Sequence, residues 1–243
     1  MEFLEFKEKL AVAFKSNAIS VELTDEKANK LYELTNIMLE VNKSMNLTAI
    51  TDEDAIIVKH YADSLTVSSY IPKGATVIDV GCGAGFPCLP LAIFREDLTI
   101  TALDSTTKRI RYIEDTAKKL DIKNITPIAA RAEELGKQNN YRESFDVATA
   151  RAVASLPVLS ELCLPFVKKG GLFISMKASQ GTQEAIDSKN AVRICGGSIK
   201  SVGKLSLNLS QTTEERTIIT ISKVSETPIK YPRHYSQITK KPL

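Results

Sequence analysis

Tryptophan is absent from this 243-residue chain, histidine occurs twice, and the four cysteines at positions 82, 88, 163 and 195 form no C-x-x-C pair. Ligands that sparse cannot build a zinc or iron–sulfur centre, so no metal is expected and the cysteines read as reduced thiols. No apolar run is long enough to span a bilayer, and Met1-Glu2-Phe3-Leu4-Glu5 is not a signal peptide, which leaves a cytoplasmic protein without membrane attachment as the expectation. Repeats, low-complexity tracts and long linkers are missing as well. With 43% hydrophobic residues the chain can bury one sizeable core, and a single unit is expected: an N-terminal helical layer over 1–72, an α/β core over 73–223 and a tail over 224–243, acting as a monomer. An excess of one charge is also lacking at +3 overall, yet residues 1–72 carry 7 basic and 12 acidic side chains whereas residues 223–243 carry 5 and 1. The basic end is the C-terminus, where Lys230-Tyr231-Pro232-Arg233-His234-Tyr235 interleaves cations with rings that suit bases and phosphates, or simply forms a solvated tail.

What is present is a buried strand that runs into a glycine loop, Val77-Ile78-Asp79-Val80-Gly81-Cys82-Gly83-Ala84-Gly85-Phe86-Pro87. Glycines at 81, 83 and 85 permit a tight turn and a close approach of backbone to a ligand ahead of a helix N-terminus. A dinucleotide fingerprint needs its third glycine at 86, where Phe86 stands. The spacing D-x-G-x-G-x-G is instead that of S-adenosylmethionine loops, with Asp79 an asset beside a cofactor carrying an ammonium and a sulfonium; a merely structural glycine turn is the bland alternative.

The second strand, Leu98 to Leu103, ends in Asp104, at the spacing of a ribose-binding carboxylate, although Asp104 also suits a helix cap. Ile110, Ile113, Ala117 and Leu120 mark the following helix. A third strand, Asn124–Ala129, leads to Ala132 and Glu133, whose backbone N–H and carboxylate suit adenine. The fourth, Ser144–Ala150, presents Arg151 at its carboxyl end, and a fifth, Leu172–Lys177, presents Lys177 at the same edge, so two cations face one crevice. A helix to about residue 195 stops at Gly196-Gly197, and an antiparallel pair through Leu205–Leu209 and Glu214–Ile221 completes seven strands. Ahead of the sheet, Phe3, Phe6, Leu10 and Phe14 form one helical stripe and Leu31, Leu34, Met38 and Val41 another behind the cap Thr24; Thr51-Asp52-Glu53-Asp54 signals a third helix, which holds His60.

Asn46-Leu47-Thr48-Ala49-Ile50, His60 with Asp63-Ser64-Leu65, Asp79 to Phe86 with Leu89-Pro90-Leu91-Ala92-Ile93, Lys108-Arg109, Arg131-Ala132-Glu133, Ala150-Arg151-Ala152-Val153 and Lys230-Tyr231-Pro232-Arg233 follow one another along nearly the whole chain. In that order they resemble the bacterial small-subunit ribosomal RNA methyltransferase G family, formerly glucose-inhibited division protein B. The resemblance implies a Rossmann-like class I fold with a seven-stranded, mostly parallel sheet. It implies methyl transfer from S-adenosylmethionine to N7 of a guanine in a decoding-region loop of 16S ribosomal RNA, as naked RNA, small subunit or assembly intermediate. Cofactor contacts carry over onto Gly81, Phe86, Ala132, Glu133 and Arg151. Cys88, Val41 and Thr106-Thr107 depart from the family pattern, and the tail after Arg233 lacks its glycine and prolines.

Guanine N7 needs no deprotonation, so alignment matters more than a general base. Arg151 and Lys177 are expected to orient the substrate, with His60, Arg216, Lys230 and Arg233 as further RNA contacts. Three readings compete: a methyltransferase for another RNA or a small molecule, a Pro87-Cys88 thiolate as in cytosine-C5 enzymes, and a non-catalytic RNA-binding module. The second suffers because Cys88 follows the cofactor loop rather than a later strand, and a packing role is the simpler account.

Overall fold

The computed structural model describes residues 1–209 and 212–243. Its seven strands are β1 (Thr76–Val80), β2 (Thr99–Asp104), β3 (Ile125–Ala129), β4 (Phe145–Arg151), β5 (Val167–Lys177), β6 (Gly197–Asn208) and β7 (Thr213–Lys223). They form one sheet in the order β3-β2-β1-β4-β5-β7-β6. The first five are parallel, and β7 runs antiparallel to both neighbours. Parallel strands are joined by crossovers that lay helices on both faces, which explains why β1 and β4 are buried along nearly their whole length. The order reverses beside β1, between β2 and β4, and at such a switch point the carboxyl ends of the strands open a crevice.

The helices are α1 (Phe3–Ser16), α2 (Asp25–Met45), α3 (Glu53–Ile56), α4 (Asp63–Leu65), α5 (Cys88–Phe94), α6 (Thr107–Lys119), α7 (Ala132–Leu135), α8 (Leu156–Cys163), α9 (Gly181–Asp187), α10 (Lys189–Ile194) and α11 (Tyr235–Lys240). The stripe Phe6, Leu10 and Phe14 of α1 is buried against the same core as Leu31, Leu34 and Met38 of α2, so the N-terminal layer covers one sheet face. Thr24 caps α2 by accepting from the Lys27 N–H. Helices α8 and α10 cover the other face, where Leu159, Leu162 and Val192 meet Phe166, Phe173 and Ile219.

Three local expectations are revised. The third helix is capped by Asp52, which accepts from the Ala55 N–H, not by Thr51. Between α3 and α4 its turns widen into a π-helical segment, Ile57–Ala62. A 3.6-residue periodicity cannot show that insertion, which turns the chain between α3 and α4 relative to a regular helix. Finally, β6 begins at Gly197, well before the alternation of Leu205 and Leu207, because its first half lies at the sheet edge with mostly exposed side chains and leaves no hydrophobic signal.

Candidate active site

The glycine loop leaves β1 and turns beneath β2: the N–H groups of Gly81 and Cys82 both donate to the Leu103 carbonyl. Gly83, at φ +56°, stands open, and a Cβ there would meet nothing closer than 3.9 Å, so the loop offers a bare backbone cradle. Gly85 has a different task. Its φ is +91° and an added Cβ would lie 2.3 Å from the Leu89 side chain, so it lets α5 pack against the loop.

The cradle is one wall of a cleft of about 420 Å³ bordered by Gly81, Gly83, Phe86, Asp104, Ala132, Glu133 and Arg151. Seven of the nine cofactor candidates therefore share one cavity. Gly85 and Asp79 do not line it. Asp79 is buried under the loop, where Oδ1 accepts from the Thr149 hydroxyl and Oδ2 from the Cys88 N–H, and burial pushes its carboxyl up to about 6. Its place is that of a brace between β1, β4 and α5.

Asp104 divides its carboxylate between Gly83 N–H (3.1 Å) and Thr106 N–H (2.8 Å) and so fixes the cradle to β2. Each oxygen keeps a second acceptor lobe. Arg109, whose Nη1 is 3.6 Å from Asp104 Oδ2, borders the cleft beside it. Glu133 is 4% exposed, lines the cleft and makes no side-chain hydrogen bond among the described residues. A buried acceptor without a donor at the β3 end and a cleft-bordering carboxylate at the β2 end would suit the donors of an adenosine, its amino group and its hydroxyls. The bare cradle leaves room for the rest of S-adenosylmethionine, so this donor set fits that cofactor. Tyr235, from α11, closes the same cleft, with the Arg131 guanidinium 5.7 Å from its ring centroid. That contact was not read from the sequence, because nothing local to Tyr235 signals where the tail folds back.

At the β4 end the site is polar and tightly tied. Arg151 Nη1 donates to the Lys59 carbonyl and to Asp63 Oδ2 (both 2.9 Å), and its guanidinium carbon is 5.3 Å from the Phe86 centroid. His60 stacks on Phe86 at 4.3 Å with 11° between planes. Its Nδ1 lies 3.4 Å from Arg151 Nη2 and its Nε2 3.0 Å from the Thr48 hydroxyl. Burial, then the neighbouring Arg151 charge, lowers its pKa to about 3, so the imidazole is neutral. His60 is thus neutral with both nitrogens engaged, and offers no positive charge to RNA. Asp63 bridges Arg151 to Arg216, whose Nε is 3.3 Å from Oδ1. Its place three residues after His60 in a helical stretch was the available signal for it.

A second cleft of about 600 Å³ adjoins the first through shared residues His60, Arg151 and Ala152. Arg151 and Lys177 do face one crevice here, but Lys177 is absent from the first cleft. Its ammonium is paired with Glu184 (2.8 Å) and donates to the Ala154 carbonyl, while Glu184 Oε2 accepts from Leu156 N–H at the start of α8. Arg216 also pairs with Glu214, as does Lys59. The lining of this cleft therefore carries four cations, Lys59, Arg151, Lys177 and Arg216, against three carboxylates, Asp63, Glu184 and Glu214.

One further expectation changes at the tail. Arg233 is not a free cation: Nε and Nη2 grip both oxygens of Glu161, a residue with no exposure, and Nη2 also donates to the Lys241 carbonyl. Arg142, unremarked in the sequence, holds the tail from the other side through the carbonyls of Thr227 and Tyr231. Lys230 stays exposed. All four cysteines are free and buried; burial raises the Cys88 thiol well above its ordinary range, which suits packing and not nucleophilic attack. Among the described residues no group of three His, Cys, Asp or Glu could hold a metal ion, and no helix is long and apolar enough to cross a membrane.

Sheet order, glycine cradle and an adenosine-shaped set of acceptors define a class I S-adenosylmethionine-dependent methyltransferase fold. A solved structure illustrates it: M. jannaschii TYW2 in complex with AdoMet superposes with a TM-score of 0.53 at 14% identity, covering 67% of this chain and 75% of that one. The [4+2]-cyclase SpnF reaches 0.55 at 14% identity over 85% of this chain and 99% of its own, so the fold does not by itself set the reaction. Sequence does: the pattern of the family described as rRNA small subunit methyltransferase G matches residues 27–216. The ribosomal RNA small subunit methyltransferase G of Acetivibrio thermocellus is 43% identical over 244 residues, spanning 100% of both chains. The chain belongs to this family, and it is an S-adenosylmethionine-dependent methyltransferase.

Proposed function

We propose that this enzyme transfers a methyl group from S-adenosylmethionine to N7 of a specific guanine in a decoding-region loop of 16S ribosomal RNA. One observation carries the reading: Arg151 borders both clefts, and the one beside the adenosine-matching acceptors adjoins a second whose lining has a cation in excess. A nucleotide entering the second cleft reaches the first past Arg151, with its phosphate among Lys59, Arg216 and the partly exposed Glu214. Ion pairs of that exposure are worth about 0–1 kcal/mol, so a phosphate can exchange for a carboxylate there at little cost.

The bound cofactor supplies an electrophilic methyl on a sulfonium. The chain's own residues align the acceptor and exclude water, and none needs to take a proton, because the N7 lone pair is free at neutral pH. The neutral, doubly engaged His60 and the buried Asp79 agree with chemistry that lacks a general base. Asp104, Ala132 and Glu133 hold the nucleoside, Gly81, Gly83 and Phe86 line the remainder, and Arg151 orients the base edge or its phosphate. Lys177 acts through the Ala154–Leu156 segment as a positioning residue, and Lys230 contributes to RNA docking. In this reading the chain works in the cytoplasm as a monomer and as one unit.

Ribosomal RNA from a strain lacking the gene should lose chemical cleavage at one 7-methylguanosine, and the gene restored in trans should bring it back. Unchanged cleavage in the deletion strain, or methylation by the purified enzyme of some other RNA only, refutes the proposal.

A further inference from the structure

Thr48 lies just past α2, and its backbone is clipped at two points to Asn42: its N–H donates to Asn42 Oδ1 (2.9 Å) and its carbonyl accepts from Nδ2 (3.0 Å). The side chain borders the first cleft together with His60, Phe86 and Arg151. The polarity of its hydroxyl follows from its neighbours. A guanidinium has no acceptor, so the tautomer that turns the His60 Nδ1 lone pair to Arg151 Nη2 (3.4 Å) and carries the ring proton on Nε2 is preferred over the one in which the ring donates to the Lys59 carbonyl. Nε2–H then donates to Thr48 Oγ1 (3.0 Å), and the Ile50 N–H donates to the same oxygen (3.0 Å). A hydroxyl oxygen accepts two hydrogen bonds, and both are taken. The O–H hydrogen finds no acceptor among the described residues. It is left as a donor of fixed sense at the β4 end of the cleft, where the methyl acceptor must lie if the β2 and β3 ends hold the adenosine.

On the reading of guanine N7 as the methyl acceptor, we propose that the Thr48 hydroxyl donates to O6 of the target guanine and so selects guanine over adenine. On that edge guanine offers two adjacent acceptors, N7 and O6, whereas adenine offers N7 and an amino donor. A donor on N7 would occupy the lone pair that attacks the methyl, so O6 is the partner that leaves the nucleophile free. Adenine in the same place sets its amino group against a hydroxyl that cannot reverse, because its lone pairs are already filled. Sites built to hydrogen-bond one substrate group reject the analogue lacking it far better than apolar pockets do.

The test is a chemical double-mutant cycle. Purified wild-type, Thr48→Val and Thr48→Ser enzymes are assayed for methyl transfer to small subunits or ribosomal RNA carrying guanine, adenine or 2-aminopurine at the target position; 2-aminopurine lacks O6. Wild type should lose about tenfold or more in kcat/KM on 2-aminopurine, and Thr48→Val the same on guanine, with little further loss when the two changes are combined. Thr48→Ser should keep its preference for guanine over adenine, and S-adenosylmethionine affinity, measured by calorimetry, should stay within a few-fold in all three. If wild type methylates 2-aminopurine as well as guanine, the proposal falls whether or not Thr48→Val folds. It also falls if the two losses multiply independently, or if Thr48→Val instead weakens cofactor binding and keeps its base preference. A wild-type enzyme that methylates no guanine would overturn the N7 reading itself.

Discussion

Lowering the pH from about 7.5 to 5 should cost the fold about 2 kcal/mol through His60 alone. The unfolded imidazole titrates at 6.5 and the folded one at about 3, because the ring is buried and faces Arg151. Between those values only the unfolded chain takes up the proton, so stability is complete above 6.5 and is lost as the pH falls, by about 1.4 kcal/mol per unit. Asp79 works in the opposite sense. Its carboxyl is raised from 3.8 to about 6, so the folded chain binds the extra proton there and gains about 1.4 kcal/mol over the same pH change. The wild-type curve should therefore be nearly flat in this range, its two large slopes offsetting each other. A Gln at 60 can still accept from Arg151 and donate to Thr48, and His60→Gln should expose the Asp79 slope: the variant gains stability on acidification where wild type does not. Urea unfolding at several pH values between 5 and 7.5, read as the difference between the two proteins, isolates the His60 contribution from any constant loss of packing. Parallel pH curves would refute the buried neutral imidazole, and with it the hydrogen-bond polarity assigned to Thr48.

Arg233→Ala leaves the buried Glu161 with no charged partner and only the backbone N–H of residue 233 as donor, and should destabilise the fold by about 3 kcal/mol in urea unfolding, with the tail released to proteolysis; a loss below 1 kcal/mol would argue that Arg233 is available to RNA after all. Gly85→Ala forces both a positive φ and a 2.3 Å approach to Leu89, and should lower stability by about 1–3 kcal/mol with weakened cofactor binding; unchanged thermal unfolding would contradict the packing assigned to the loop. Asp104→Ala removes the acceptor that ties Gly83 and Thr106 and faces the cleft, so S-adenosylmethionine affinity should fall by about tenfold or more by calorimetry; wild-type affinity would remove Asp104 from the site.

That most of the cofactor candidates would converge was legible because they belong to local sequence. A strand, a glycine loop and an acid at the end of the next strand have spacings that the βαβ unit dictates, and Gly81, Gly83, Asp104 and Glu133 meet in one cleft as that unit requires. The substrate half was read less well. Cations were assigned to RNA from their positions in the chain, but Arg233 and Arg216 each found a carboxylate far away in sequence, at Glu161 and Asp63, and Lys177 found one on the following helix, at Glu184. Burial of Asp79 under its own loop was equally invisible, since an acid before the first glycine looks the same whether it faces ligand or core.

Sequence by itself determined the order of elements, the cofactor loop and the family, because periodicity and short motifs are properties of neighbouring residues. Tertiary structure alone decided which polar groups remain free. Whether a charge or hydroxyl serves a ligand depends on what has already satisfied it, and those partners arrive from other strands and helices. Thr48 shows the difference most plainly: its motif was evident in the chain, but the direction of its O–H follows only from Arg151, His60 and Ile50 gathered around it.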